Sequence, residues 1–430
     1  MKLGFLKWPF EGTSISNTWS VYNFNILKTT QPNNNFFSHP KVDKVFAQTT
    51  LELWFRRTPY AQKQIQPAWY DLNEWHNIDC DALLIPYTWF LFFTKDQLLL
   101  LSKFKGKIIL DETVDPWVFD EENNQTHVIP NFIKELEQLT NFHNIYLLTS
   151  ANVSTEAKNY FKNKLNNIKI ISANVLMLLL TVTTLRNKER IYSDEHIIHN
   201  FNNNKNKEFL LCAGRPRYHR LALLKYISDN NLLDKSFVSA NLCPHTVDPI
   251  TPFVNKYIDD MDNNKSRYML DQYCSIEELK DYTDTRIIEE YPQEYFRLDD
   301  NYPKNNVYTR SKYSIISESL FQTNIKGYNW VTEKTCLPFI YGHPFILFSM
   351  VNTWQYLQAL GFEEYTQFGV YDSITTPYNR FSALCDSIQH LVNNSMSKAT
   401  LDVILHNTNN FYSEKLQDSI VPVLLINYNK

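Results

Sequence analysis

Glycine is scarce, with 8 residues in 430 against roughly 7% in an average protein. The glycines are Gly4, Gly12, Gly106, Gly214, Gly327, Gly342, Gly361 and Gly369. No two are spaced to form G-x-G-x-x-G or G-x-x-x-x-G-K-[ST], so the glycine-rich dinucleotide and P-loop phosphate cradles are excluded. A phosphate bound by this chain must be held by side chains and helix N-termini. Cysteine is also thin. Cys80, Cys212, Cys243, Cys274, Cys336 and Cys385 are widely separated, with no C-x-x-C and no Cys/His cluster of the zinc type. That spacing suits reduced thiols in a cytoplasmic protein. Long apolar runs are missing as well. The most apolar stretches, 82–93 and 170–182, contain polar breaks and fall short of the ~20 residues of a membrane span. The first ten residues lack the apolar core of a signal peptide. Neither charge sign dominates, for the net charge is −4, so no global field draws the chain to nucleic acid or anionic membrane. The expectation is a soluble, cytoplasmic protein with no membrane span.

What is present is enough for a large core: 43% hydrophobic and 15% aromatic residues, with only 20% charged, a balance that excludes a disordered chain. A length of 430 residues suits two or three domains. Asn, Ile, Lys, Tyr and Phe are all frequent, a bias that follows A/T-rich codons and reports the genome more than the function.

Short apolar runs alternate with amphipathic stretches. Strands are expected at 82–86, 107–110, 144–148 and 169–171, with helices at 97–104, 131–142 and 154–165. The polar stretch 200–207 reads as a linker or exposed hairpin. The rhythm then restarts with a strand at 208–213, a turn at Gly214-Arg215-Pro216 and a helix over 218–228. Residues 241–308 are acidic, Tyr-rich and weakly periodic, and read as an insertion or as loops around a site. Further strands are expected at 313–317 and 344–349. Further helices are expected at 332–341, with Thr332 at the N-cap, at 352–360, closed by Gly361, at 378–392 and at 398–410. No internal repeat is evident. Strands alternating with helices predict doubly wound parallel sheets, here as two Rossmann-like α/β domains facing a central cleft, with the site at the carboxyl ends of the strands. The boundaries read as an N-terminal domain over 1–190, a C-terminal domain over 191–400 with the 241–308 insertion, and a segment 401–430 that returns to the first domain.

Three constellations carry candidate chemistry. The first is Ser314-Ile315-Ile316-Ser317-Glu318-Ser319 followed by Asn329-Trp330-Val331-Thr332-Glu333-Lys334-Thr335: a strand ending in a carboxylate, then a helix opening on Thr-Glu-Lys. A lysine in the first turn opposes the helix dipole, and a nearby anion removes the conflict. Two readings fit. Lys334 and the first N–H groups grip a diphosphate while Glu333 accepts from a ribose diol, or Thr332-Glu333 caps the helix and Lys334 is solvated. The second constellation, Gly214-Arg215-Pro216-Arg217-Tyr218-His219-Arg220, puts three arginines at a strand-to-helix turn. Guanidinium forks suit a pyrophosphate, and a solvated basic turn is the alternative. His219 reads as structural. The third is Asp111-Glu112, with Asp115, at the end of the 107–110 strand. Either of the first two is a candidate general base, and capping of a turn fits equally. Trp117 nearby offers a face to a sugar or is simply buried. Asp79-Cys80-Asp81 matches the D-x-D of metal-dependent sugar transferases, but a three-residue match is expected by chance in a chain with 46 acidic residues, and no metal is assigned.

The phrase S-I-I-S-E-S, then W-V-T-E-K-T-C-L-P-F-I-Y-G-H-P-F-I-L-F, resembles the donor-binding domain of GT-B glycosyltransferases related to the α1,3-fucosyltransferases, most closely the divergent forms carried by tailed phages. The resemblance covers about residues 210–365. It implies a GT-B architecture, inversion at the sugar's anomeric carbon, a UDP- or GDP-linked sugar donor and no obligatory metal. By position it implies ribose contact through Glu333, diphosphate contact through Lys334 and Arg220 with Arg215 and Arg217 beside it, and donor-site roles for Glu318 and Thr332. Ser319 and Trp330 depart from the family's Asn and Tyr, so fucose specificity is not carried over. The acceptor divides between a hydroxymethylated pyrimidine in phage DNA and a glycan or lipopolysaccharide hydroxyl. Arg56, Arg57 and Lys63 with Trp54, Trp69 and Trp75 form a DNA-binding surface on the first alternative and core and rim on the second. A non-catalytic sugar- or nucleotide-binding protein is the rival from another class. If phage-encoded, the protein works in the host cytoplasm.

Overall fold

Runs of Leu, Ile and Val bounded by polar turns become strands of two parallel sheets in the computed structural model. It describes residues 2–6, 66–70, 79–86, 99–101, 103–112, 145–149, 152–153, 155, 158–159, 168–172, 190–214, 218–240, 307–318, 321, 328–413 and 415–416. The chain divides into two compact units, one of residues 1–182 with 420–430, the other of residues 183–419.

The first unit is built on strands β1 (Lys2–Leu6), β2 (Gln66–Tyr70), β3 (Ala82–Pro86), β4 (Lys107–Glu112), β5 (Ile145–Thr149) and β6 (Ile168–Ser172). They line up as β2-β1-β3-β4-β5-β6, every pair parallel. Ala82–Ile85, Ile108–Leu110 and Ile145–Leu148 are buried, the near-continuous apolar pattern of strands covered on both faces. Pro67, which has no N–H to give, lies in β2 at the sheet's edge, where a missing donor is tolerated. Asp111 and Glu112 are the last two residues of β4, in register with Leu148 and Thr149.

The second unit carries β7 (Lys207–Gly214), β8 (Ser236–Ala240), β9 (Ser311–Ser317) and β10 (Phe345–Phe348), in the order β10-β9-β7-β8, again all parallel. Read from the β8 end, this is second, first, third, fourth in chain order. The first four strands of the other unit have the same arrangement. A repeat of topology is thus present although no repeat of sequence is visible. Two parallel sheets in a mixed α/β chain are what the alternation of strand and helix patterns predicted.

Among the described residues, helices of the second unit frame its sheet: α1 (Asp194–Asn202), α2 (Tyr218–Asp229), α3 (Val307–Arg310), α4 (Glu333–Tyr341), α5 (Thr353–Ala359), α6 (Pro377–Asn393) and α7 (Lys398–Phe411). α1 overlaps the segment read as a linker. Ser193 caps it by accepting from the His196 N–H, and Ile197 is its buried residue. Of the segment 401–430 expected to return to the first domain, residues 401–411 belong to α7 and pack within the second unit, while residues 420–430 group with the first. Thr400, Ile404, Thr408 and Phe411 are buried at helical spacing. Phe411 meets Phe339 of α4 at a ring separation of 6.3 Å, and Phe339 stacks on Phe362 at 4.2 Å. Each fully buried phenylalanine contributes roughly 1.5–3 kcal/mol, enough to fix where α4 lies against the sheet. Among the described residues no helix is long and apolar enough to cross a membrane.

Candidate functional site

In an open doubly wound sheet, ligands bind outside the carboxyl ends of the strands where the order reverses. In the second unit that place lies between β7 and β9. β7 ends at Gly214 and is followed by α2, while β9 runs through buried Ile315 and Ile316 and ends at Ser317. Four of the residues singled out in the sequence, Arg220, Glu318, Thr332 and Lys334, come together there.

Glu318 is wholly buried, with its N–H donating to the Phe348 carbonyl at 2.9 Å. Its carboxylate accepts three hydrogen bonds: from the Thr332 N–H at 3.0 Å, the Thr332 hydroxyl at 2.6 Å and the Thr335 hydroxyl at 2.5 Å. A buried charge is tolerable only when donors satisfy it in this way. Thr332 is the N-cap of α4 and Thr335 its third residue, so the carboxylate ties the end of β9 to the start of α4 and lies at the positive end of the helix dipole. The Thr332 hydroxyl in turn accepts from the Lys334 N–H at 3.3 Å. The Lys334 ammonium stands 3.5 Å from the same oxygen on a partly exposed side chain.

The first turn of α2 fastens to the same point. Arg220, 3% exposed, donates from Nη2 to the Ser317 carbonyl at 2.9 Å. The His219 Nε2 lies 3.0 Å from the Glu318 carbonyl, and its ring stacks on Phe321 at 5.5 Å. These contacts join His219 to the residue after β9 and to Phe321. Arg220 has a structural duty too, holding α2 to the end of β9. Among the described residues, the buried Ser317 Oγ and Trp330 Nε1 at this edge have no hydrogen-bond partner, which is where a bound polar ligand would repay the roughly 1–3 kcal/mol of an unsatisfied group.

Sequence reasoning missed Thr335. The signal available was a second threonine three residues after the N-cap, on the side of the helix facing the cap. Glu333 opens α4, and its side chain lies outside the described residues, as do Arg215 and Arg217 and the side chains of Asp111 and Glu112. Asp115, Trp117 and the cluster of Trp54, Arg56, Arg57, Lys63 and Trp75 fall there too, with the Trp69 side chain. Asp79 and Asp81 are exposed and precede β3, at the amino edge of the first sheet, away from the carboxyl ends where sites form. Among the described residues no group of three or more His, Cys, Asp or Glu is placed to hold a metal ion.

Comparison of the chain with protein-family models, with curated proteins and with solved structures returns no match.

Proposed function

We propose that the second unit binds a nucleoside-diphosphate sugar at the carboxyl edge of its sheet and that the chain is an inverting glycosyltransferase of GT-B type. The observation that carries the reading is the meeting of Glu318, Thr332, Thr335 and Lys334 at the strand-order reversal. A buried carboxylate there fixes a helix N-terminus, and that terminus presents a lysine where an anion relieves its conflict with the dipole.

The chemistry follows from the charges. The acceptor hydroxyl oxygen forms a bond to the sugar's C1 as the C1–O bond to the diphosphate breaks, and the nucleoside diphosphate leaves with that electron pair. Lys334, the α4 N-terminus and the arginines Arg215, Arg217 and Arg220 are the groups assigned to the departing negative charge. Glu333 is assigned to the ribose hydroxyls. The acceptor's proton goes to a carboxylate, Glu112 or Asp111, at the carboxyl end of β4. No step calls for a metal. The acceptor assigned first is a hydroxymethylated pyrimidine in DNA, with a glycan hydroxyl as the alternative. The test is a screen of UDP- and GDP-linked sugars for hydrolysis and transfer, with mass spectrometry of treated DNA and oligosaccharides. Donor-dependent mass gain on either acceptor, lost in Glu112→Gln or Asp111→Asn, supports the reading. Absence of hydrolysis and transfer with every donor refutes it and leaves a non-catalytic binding protein.

A further inference from the structure

A cavity of about 410 Å³ opens at the other end of the second sheet. Its walls come from the segments that enter the strands: Asn203–Lys205 before β7, Tyr308, Thr309 and Ser311 at the start of β9, and Gly342–Pro344 before β10, with Ser395 and Met396 closing one side. The donor-site reading uses none of these residues. The size falls within the roughly 300–1,000 Å³ of small-molecule sites.

The chemistry of the lining is one-sided. No Asp or Glu contributes to it, whereas Lys205 and Lys312 do. Lys312 is neutralised by Glu208, 2.7 Å away. Among the described residues Lys205 has no acidic partner. Its ammonium donates to the Thr309 carbonyl at 2.7 Å, which engages one of its three protons. Burial lowers its amine to about 8, the mark of a cation held partly out of water without a counter-charge. Around it Asn200, Asn202, Asn203 and Asn204 supply amide donors and acceptors. The floor is rigid. Tyr308 and Tyr341 stack at 4.3 Å, and His343 is fixed between the Ser314 hydroxyl at 2.9 Å and the Ser311 carbonyl at 3.0 Å. Gly342 has φ of +59°, and a Cβ there would run into the Ile197 side chain. Glycine at this point therefore lets α1 close down on the end of α4 and form the corner of the cavity.

We infer that this cavity is a binding site for a sugar-sized polyol bearing one anionic group, a phosphate or a carboxylate. The one unmatched ammonium sets the single negative charge, and the asparagine amides match hydroxyl groups.

The test is calorimetric titration of the full chain with glucose 6-phosphate, glucuronate, inorganic phosphate and glucose. It is repeated on Lys205→Gln, Lys205→Arg and Lys334→Ala, each checked for folding by circular dichroism. The expected result is saturable binding of at least one anionic sugar with Kd below about 1 mM. That Kd should rise at least tenfold in Lys205→Gln, be largely kept in Lys205→Arg, and stay unchanged in Lys334→Ala. The phosphate and carboxylate arms identify the anion. Absence of saturable binding by either anionic sugar overturns the inference, as does a Kd unchanged in Lys205→Gln. Equal affinity for glucose removes the anionic requirement, and equal affinity for inorganic phosphate removes the polyol, so either result also overturns it. Loss of binding in Lys334→Ala would assign the ligand to the other edge of the sheet and refute a separate site. Should Lys205→Gln fail to fold, Lys205→Arg and Asn203→Ala decide: retained binding in the first with weakening in the second supports the site, and unchanged binding in both refutes it.

Discussion

Replacing Glu318 by Gln tests how the start of α4 is held. The carboxylate accepts three hydrogen bonds, from the Thr332 N–H, the Thr332 hydroxyl and the Thr335 hydroxyl, in a position with no solvent access. Hydrogen bonds to a charged group contribute roughly 1.5–3 kcal/mol each. Glutamine keeps one acceptor oxygen and turns the other into an NH2 donor. With its oxygen at the Oε1 position it keeps the bonds from the Thr332 N–H and the Thr335 hydroxyl, each weakened by loss of the charge, while the NH2 opposes the Thr332 hydroxyl and that bond is lost unless the hydroxyl rotates to accept. The expected loss is about 2–4 kcal/mol from the second unit, read by urea unfolding followed through tryptophan fluorescence, to which buried Trp330 and Trp354 contribute. Thr335→Val removes one of the same bonds and is expected to cost about 1–2 kcal/mol. The double variant should cost less than the sum, because Glu318→Gln already weakens the bond that Thr335→Val removes. A stability within about 0.5 kcal/mol of the parent for Glu318→Gln, or strict additivity in the cycle, would refute the claim that this carboxylate organises the site.

Other measurements bear on the same unit. Burial pushes His343 down to about 3, so its ring should not titrate in NMR spectra between pH 8 and about 4. Because the unfolded chain takes up a proton that the folded one refuses, this histidine's contribution is full above its ordinary value near 6.5 and falls by about 2 kcal/mol on going to pH 5. Glu364 has the opposite sign. Burial and the nearby Asp372 raise it to about 7, so its charged form costs stability above that pH and Glu364→Gln should stabilise, by on the order of 1 kcal/mol at pH 8 after solvent screening and by less at pH 5. A pH scan in that variant then exposes the His343 loss. Gly342→Ala is expected to destabilise by about 2 kcal/mol in thermal or urea unfolding, from its left-handed φ and the contact with Ile197.

Much of the second unit could be read before any fold was known. The strand patterns at 208–213, 313–317 and 344–349 and the helices after them stand within one or two residues of the observed elements, because buried parallel strands are continuous apolar runs that need no partner to be recognised. α1 was hidden. Its sequence DEHIIHNFN is polar and weak in helix propensity, and it is held by its Ser193 cap and by Ile197 packing against Gly342. β1 and β2 were hidden too. They contain Gly4 and Pro67, residues that read as strand breakers unless the position in the sheet is known. At the candidate site the sequence singled out residues that the fold brings together, Arg220, Glu318, Thr332 and Lys334, without the contacts that join them. Arg220 was read as a diphosphate ligand, and its bond to the Ser317 carbonyl depends on a long-range approach that no local pattern encodes. For that reason Arg220→Ala is a poor probe of ligand binding, since it would loosen α2 as well, whereas Lys334 is partly exposed and can be removed with little effect on packing.

The central claim is tested most directly by calorimetric titration of the parent chain and Lys334→Ala with UDP- and GDP-linked sugars. The account predicts that one nucleotide class binds saturably to the parent and at least tenfold more weakly, about 1.4 kcal/mol, to Lys334→Ala, with the unfolding midpoint unchanged. Binding of neither class, or equal affinity in the two proteins, would contradict it.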